Sequence, residues 1–446
     1  MLISNQVFTV IGLASSGKSA TNELLKRNAT VYIFDEDKQK KTLKTIDNLV
    51  SKGAILSNAV EEAIKKSDIV VVSPGVPIDS PFLVNAKKAG KRIMGELELG
   101  YLLSKSPIIA VTGTNGKTTT CSLVHHILQK AGLKSELVGN IGTPITERID
   151  YLTENTLAVT EVSSFMLETV NAFCPHIAAI LNVTPDHLDR HYTMDNYVYL
   201  KRRILSNMRE SEYAVLNFDD EIVKSFAENL RCKVIWFSLN QKVEGAYLEG
   251  ETLFFMGEPI CVVQDINISG EHNISNCLAA VAIAKLVGVS SEDIKNSFTN
   301  FKGVKHRIEL VLEKQGVKYY NDSKSTNVDS TIKAVDAMVK PTVIILGGRD
   351  KNQNYIPLFE KLKTSCIVHA VLMGENRYKL LKAANSVGFL RLSVSSSFES
   401  AIKIAKIEAR NNASVLLSPA AASFDMFSGY EERGRQFERI VKQINE

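Results

Sequence analysis

Twice along this chain a β-branched run ends in a glycine-containing turn that opens a helical pattern. Val7–Leu13 runs into Gly12-Leu-Ala-Ser-Ser-Gly17-Lys18-Ser19, and Ile108–Thr112 runs into Gly113-Thr114-Asn115-Gly116-Lys117. Similar short runs recur at Thr30–Asp35, Ile69–Ser73, Leu157–Val162, Ile177–Asn182, Tyr213–Asn217, Thr342–Gly347 and Val415–Ser418. Strands that alternate with helices join as parallel neighbours through crossovers. Their near-continuous apolar character predicts sheets covered on both faces. The expected fold class is α/β.

The chain has 446 residues, and at roughly 100–200 residues per domain that predicts two to four domains. One block runs to about Gly95. A second opens at Pro107 and is interrupted near Gly245–Ile268, where alternating residues and glycines predict a small β excursion. A third starts near Lys305, after the turn-like Phe301-Lys302-Gly303. The last helix, about Gly429–Asn445, reads as an amphipathic packing helix. With 45% hydrophobic and 23% charged residues the balance is that of a globular protein. A net charge of +4 is small for this length and argues little for nucleic acid as a partner. The six cysteines form no CxxC pair, which argues against a disulfide scaffold or zinc site and fits a reducing cytosol. No signal peptide or membrane span is expected.

Two loops compete for phosphate. Gly12–Ser19 fits the strict pattern G-x4-G-K-S/T. Thr112–Thr120 (TGTNGKTTT) departs from it, with Val111 where the first glycine belongs. Context reverses the ranking. The first loop is followed by a strand ending in Asp35, about twenty residues past the glycines, where a Rossmann-type domain places its ribose-binding carboxylate. It reads as a cradle for a nucleotide pyrophosphate. In the second loop Gly113 and Gly116 allow close backbone approach, Lys117 can reach the β- and γ-phosphates, and Thr118 or Thr119 can ligate Mg²⁺. That chemistry makes it the ATP loop.

Glu161 stands at the C-terminal end of an apolar strand, which faces the ligand crevice in an open parallel sheet. It is a candidate Mg²⁺ ligand. Asn182-Val-Thr184-Pro-Asp186-His187-Leu-Asp189-Arg190-His191 follows its strand in the same way. His187 and His191 have i, i+4 spacing without the HExxH of a zinc helix, and His187 reads equally as ligand or as satisfied surface histidine. Lys201-Arg202-Arg203 reads as a solvated basic face on a helix.

These blocks, in order, resemble the Mur ligase family, which also includes the folylpolyglutamate synthetases. The resemblance spans essentially the whole chain. It rests on TGTNGKTTT (112–120), GNIG (139–142), EVSSF (161–165), NVTPDHLDRH (182–191), GEHNISN (270–276), HR (306–307), NDSKSTN (321–327), LGGRDK (346–351) and SPAAASFD (418–425). It implies three domains, each a mainly parallel sheet flanked by helices: a Rossmann-like UDP-substrate domain (1–95), a P-loop-type ATPase domain (96–303) and a Rossmann-like amino-acid domain (304–446). It implies that ATP phosphorylates a carboxylate and an amine attacks the acyl phosphate. Within the family it points to D-glutamate joining UDP-N-acetylmuramoyl-L-alanine, in cytoplasmic peptidoglycan precursor synthesis by a monomer.

By position, the resemblance gives the loop Gly113, Thr114, Asn115, Gly116, Lys117, Thr118 and Thr119 to ATP. Thr118 and Glu161 would serve one Mg²⁺. His187 and a carbamylated Lys201 would serve a second. Asn273, Asn276, Arg307 and Asp322 would position ATP, and His306 would lie beside the reacting groups. Ser15, Ser16, Asp35 and Ser73 match the UDP pocket, and Asn140 would contact the sugar substrate. Lys324, Thr326, Lys351, Ser423, Phe424 and Tyr430 match positions that hold D-glutamate. Two of these carry plain alternatives, since Ser423 could cap a turn and Tyr430 could simply pack. Some members carry a basic residue just after the second strand's acid, whereas this chain reads Asp35-Glu36-Asp37-Lys38. Competing readings are a sibling ligase adding another amino acid, an NAD-dependent oxidoreductase built on the first domain, and a P-loop kinase.

Overall fold

The computed structural model describes residues 3–37, 40–268, 270–350, 353–409 and 413–444. The chain divides into two compact units, one of residues 1–266 with 275–300, the other of 267–274 with 301–446.

The first unit holds two sheets. The five strands β1 (Val7–Ile11), β2 (Thr30–Phe34), β3 (Ile55–Leu56), β4 (Ile69–Val72) and β5 (Arg92–Gly95) lie in the order β3-β2-β1-β4-β5, all parallel. The order reverses between β1 and β4, and crevices for ligands form at such a switch point, beyond the carboxyl ends of the strands. Gly12 and Ser73 follow those two strands.

The second sheet contains β6 (Ile108–Thr112), β7 (Ser135–Gly139), β8 (Leu157–Glu161), β9 (Ile177–Ile180), β10 (Tyr213–Asn217), β11 (Lys233–Ser238), β12 (Gly245–Glu249), β13 (Thr252–Phe255) and β14 (Glu258–Val262). From β7 through β12 neighbours run parallel, in the order β7-β8-β6-β9-β10-β11-β12. The β excursion at 245–268 is the antiparallel edge made by β12, β13 and β14. Every residue of β6 and β9 is buried. Helix Glu271–Leu286 is apolar on all sides from Cys277 to Ala284 and wholly buried there, as such a helix must be.

The second unit carries one sheet, β15 (Glu309–Lys314), β16 (Val317–Asn321), β17 (Thr342–Gly347), β18 (Ile367–Met373), β19 (Leu392–Val394) and β20 (Ser414–Leu417). Its order is β15-β16-β20-β17-β18-β19, with only β15 antiparallel. Helix Tyr430–Gln443 packs Phe437, Ile440 and Val441 against it. The architecture is the expected α/β arrangement of three mainly parallel sheets with helical cover. Among the described residues no helix is long and apolar enough to cross a membrane.

Candidate active site

All three sheets gather polar residues at the carboxyl ends of their central strands. In the second sheet these ends carry Gly113, Asn140, Glu161 and Asn182, which follow or close β6, β7, β8 and β9. Gly116 has φ +87°, and a Cβ there would stand 2.3 Å from Asn276 Oδ1, so the turn admits only glycine. The loop is braced by the block after β9. Asn182 Oδ1 accepts from Asn115 N at 2.8 Å, Asn182 Nδ2 donates to Asn115 O at 3.1 Å, and Thr114 Oγ1 donates to Thr184 O at 3.0 Å. Helix Lys117–Lys130 starts at once, leaving amide groups for an anion at its N-terminus. Lys117 Nζ donates to Gly113 O and Thr114 O, each at 2.8 Å, which keeps the ammonium over the loop.

One carboxylate joins the loop to its neighbour. Thr118 Oγ1 donates to Glu161 Oε2 at 2.8 Å, and Asn140 Nδ2 donates to Glu161 Oε1 at 2.8 Å. Glu161 is buried. A hydroxyl and a carboxylate are the hard oxygen donors Mg²⁺ prefers, with phosphate oxygens completing its shell. Among the described residues no group of three His, Cys, Asp or Glu stands placed to hold a metal ion. Thr119 is also buried, but its hydroxyl has no hydrogen-bond partner among the described residues. Thr118, not Thr119, reaches the carboxylate.

The basic run at 201–203 splits three ways. Successive helical residues point about 100° apart, and only Arg202 faces solvent. Arg203 donates to the carbonyls of Leu167 at 2.7 Å and Glu168 at 2.8 Å. Lys201 is 1% exposed, with Nζ 4.7 Å from the centre of the Tyr197 ring. Burial, with Lys117 nearby, pushes its pKa well below the usual lysine range, and Asp186 opposes the shift. His187 has φ +55° and sits edge-on to Phe165 at 4.8 Å, with Nε2 3.6 Å from Asp186 Oδ2. His191 is buried instead, its Nε2 2.9 Å from Ser164 Oγ.

At the first sheet's switch point, Gly17 packs so closely that a Cβ would stand 1.8 Å from Gly12 O. Ser73 Oγ donates to Gly12 O at 2.7 Å, and Asp35 accepts from Leu13 N at 2.5 Å. A cleft of about 540 Å³ is lined by Ser15, Ser16, Asp35 and Ser73 together with Asn140. Lys18 of the strict-pattern loop lines an adjoining cleft of about 870 Å³, beside Ser19 and Thr146, which shares Ser15 and Asp35 with the first.

In the second unit Asp322, just past β16, is fully buried and accepts from Ser418 Oγ at 2.7 Å. Burial raises its pKa to about 6 against the pull of Arg307 and its hydrogen bonds. Arg307 Nε is buried with no hydrogen-bond partner among the described residues. His306 has φ +64°, stands 2.9 Å from Asn321 Nδ2, and has its pKa lowered by burial. Lys324 Nζ donates to Tyr430 Oη at 2.9 Å. Ser423 is buried, and its carbonyl accepts from Met426 N at 3.2 Å and Phe427 N at 2.9 Å. Phe424 is exposed and Thr326 half-buried. Asn273 belongs to this unit, and its N donates to Gly270 O, whereas Asn276 belongs to the first. Lys351 lies outside the described residues.

Sequence reading missed Arg433, fully buried, which donates to Ser323 Oγ and O and to Ala421 O. It ties two strand-end loops together, and nothing in Glu431-Glu432-Arg433-Gly434 marks it. Asn182 was within reach, because it stands at a strand end.

Three family descriptions match the chain: "Mur ligase MurD-like, N-terminal domain" over residues 6–95, "Mur ligase middle domain" over 111–284, and "Mur ligase, glutamate ligase domain" over 306–421. The chain belongs to the Mur ligase family, and it is an ATP-dependent ligase. It is 41% identical to the UDP-N-acetylmuramoylalanine–D-glutamate ligase of Lachnospira eligens over 100% of both chains. It is 41% identical to the enzyme so named of Clostridioides difficile over 98% of both. The fold matches the UDP-N-acetylmuramate-alanine ligase MurC of Thermotoga maritima with TM-score 0.63 at 17% identity, covering 98% of this chain and 100% of that one. It also matches MurF ligase of Thermotoga maritima in complex with ADP, with TM-score 0.62 at 15% identity and 99% of both chains covered.

Proposed function

We propose that this protein joins D-glutamate to UDP-N-acetylmuramoyl-L-alanine in cytoplasmic peptidoglycan precursor synthesis, as a monomer with domains 1–95, 96–303 and 304–446. One observation carries the reading. Glu161 accepts from Thr118 of the phosphate loop and from Asn140, which lines the 540 Å³ cleft. A nucleotide-sugar in that cleft and ATP on that loop would therefore meet across one carboxylate. The choice of D-glutamate draws on the names of the whole-length relatives.

In this mechanism the substrate carboxylate attacks the γ-phosphorus of ATP and ADP leaves. The D-glutamate amine, having lost a proton, attacks the acyl carbon. The tetrahedral intermediate expels phosphate and leaves an amide. Lys117 holds charge on the transferring phosphoryl, where positioning and electrostatics do most of the catalysis. Mg²⁺ bound by Thr118 and Glu161, and a second ion bound by His187 and carbamylated Lys201, would neutralise phosphate charge. Arg307, Asp322, Asn273 and Asn276 position ATP, and His306 stays beside the reacting groups. Lys324, Lys351, Thr326, Ser423, Phe424 and Tyr430 hold the amino acid, two cations suiting its two carboxylates.

The test is phosphate release from ATP with Mg²⁺ and UDP-N-acetylmuramoyl-L-alanine. The expected result is release that depends on D-glutamate. Release with L-lysine or a folate acceptor instead would assign a sibling activity, and release without any amine would assign a kinase.

A further inference from the structure

Residues 73–80, after β4, form one wall of the 540 Å³ cleft. Residues 182–192, after β9, brace the phosphate loop and carry His187. Two hydrogen bonds join these segments directly. Arg190 Nη2 donates to Val76 O at 2.9 Å, and Tyr192 Oη donates to Asp79 Oδ2 at 2.5 Å.

Neither bond looks incidental. Glu168, itself 6% exposed, holds the Arg190 guanidinium as a fork, at 3.1 Å to Nε and 2.6 Å to Nη2. Such a fork fixes direction as well as distance. The guanidinium lies 5.6 Å from the centre of the Phe165 ring, and the same ring packs on His187 at 4.8 Å and His191 at 5.2 Å. Tyr192 is exposed yet adopts φ +67°. That backbone closes the short helix Leu188–His191, where Tyr192 N donates to Leu188 O at 3.0 Å and Thr193 N donates to His191 O at 2.8 Å, and the turn sends the Tyr192 hydroxyl out to Asp79.

We propose that Arg190, with Tyr192 as a second tie, is a positioning residue that couples the nucleotide-sugar cleft to the ATP loop. This rests on the assignment of those two sites under the proposed function. A ligand against the 73–80 wall orders Val76, which through Arg190 and Phe165 orders the segment that carries His187 and braces the loop. The second ligand then finds that segment already ordered. Coupling of this kind is reciprocal.

The experiment measures the Kd of UDP-N-acetylmuramoyl-L-alanine, and of a non-hydrolysable ATP analogue with Mg²⁺, each alone and with the other saturating. In the unmodified protein each ligand should tighten the other by the same factor, within the roughly 5–150-fold range usual for coupled sites. Arg190→Ala should lower that factor severalfold while leaving each ligand's solo Kd within about tenfold. Tyr192→Phe loses only an exposed hydroxyl, so it should fold normally and lower the factor partway. A merely structural role for Arg190 would shift thermal unfolding without selectively erasing the coupling. An unmodified protein that binds both ligands independently, or an undiminished factor in both variants, overturns the coupling proposal alone. Failure of the unmodified protein to bind the nucleotide-sugar at all overturns the site assignment beneath it.

Discussion

Glu96→Gln should make the first unit more stable at mildly alkaline pH and change it little in acid. Glu96 opens the helix Glu96–Leu103 that leads from the first sheet to the second. It is 3% exposed, and its Oε1 accepts from Thr146 N and Thr146 Oγ1, both at 2.7 Å. Burial raises its pKa from 4.5 to about 7, with the Thr146 bonds opposing and Glu147 adding to the rise. A carboxyl whose folded pKa lies above its unfolded one contributes fully below the unfolded value. That contribution disappears as pH rises through the folded value. Two and a half pH units at about 1.36 kcal/mol each come to roughly 3 kcal/mol. Of this, roughly 2.5 kcal/mol falls between pH 5 and pH 8. Glutamine still accepts from Thr146 but never has to ionise. Urea unfolding can be followed at Trp236, the chain's single tryptophan, which lies in β11 of the same unit. Subtracting the parent from the variant at each pH cancels the titrating groups that do not interact with Glu96. The difference should grow by about 2.5 kcal/mol in favour of glutamine from pH 5 to pH 8. A flat difference would refute the buried-acid argument.

Lys117→Ala should lower kcat by about a hundredfold or more in a phosphate-release assay, whereas Lys18→Ala, in the 870 Å³ cleft that shares Ser15 and Asp35 with the 540 Å³ cleft, should alter mainly the KM for the nucleotide-sugar. The reverse ranking would mean that ATP sits on the other loop. Lys201→Ala should lose most activity and regain part of it with added short carboxylic acids. Isotope-labelled bicarbonate should give a carbamate NMR signal in the parent and none in the variant. Arg433→Met should destabilise the second unit by roughly 1–3 kcal/mol for each carbonyl it strands, those of Ser323 and Ala421. Calorimetry should show it as a lowered transition for that unit, and an unchanged transition would deny Arg433 its tie.

Strands were readable because their signal is local. Ile108–Thr112, Tyr213–Asn217 and Thr342–Gly347 stand as expected, while Ile177–Asn182 ends early, at Ile180. There Asn182 leaves the ladder to hold Asn115, a partner 67 positions away. Ser15, Ser16, Asp35 and Ser73, which the resemblance gave to the UDP pocket, line one cleft together, Asp35 and Ser73 just past strands and Ser15 and Ser16 at the start of the helix Ser15–Lys26. The basic run was not readable, because sequence cannot say that Lys201 points inward while Arg202 points out.

From sequence alone came the parallel sheets, the two phosphate-type turns and the family, all of which depend on residues close together in the chain or on motif order. The tertiary structure decided which turn shares a carboxylate with which cleft. Thr118 and Asn140 meet at Glu161, across 43 and 21 positions, and Arg190 meets Val76 across 114. Those meetings depend on the β7-β8-β6-β9 strand order and on how the first sheet packs beside it, and no local periodicity encodes either.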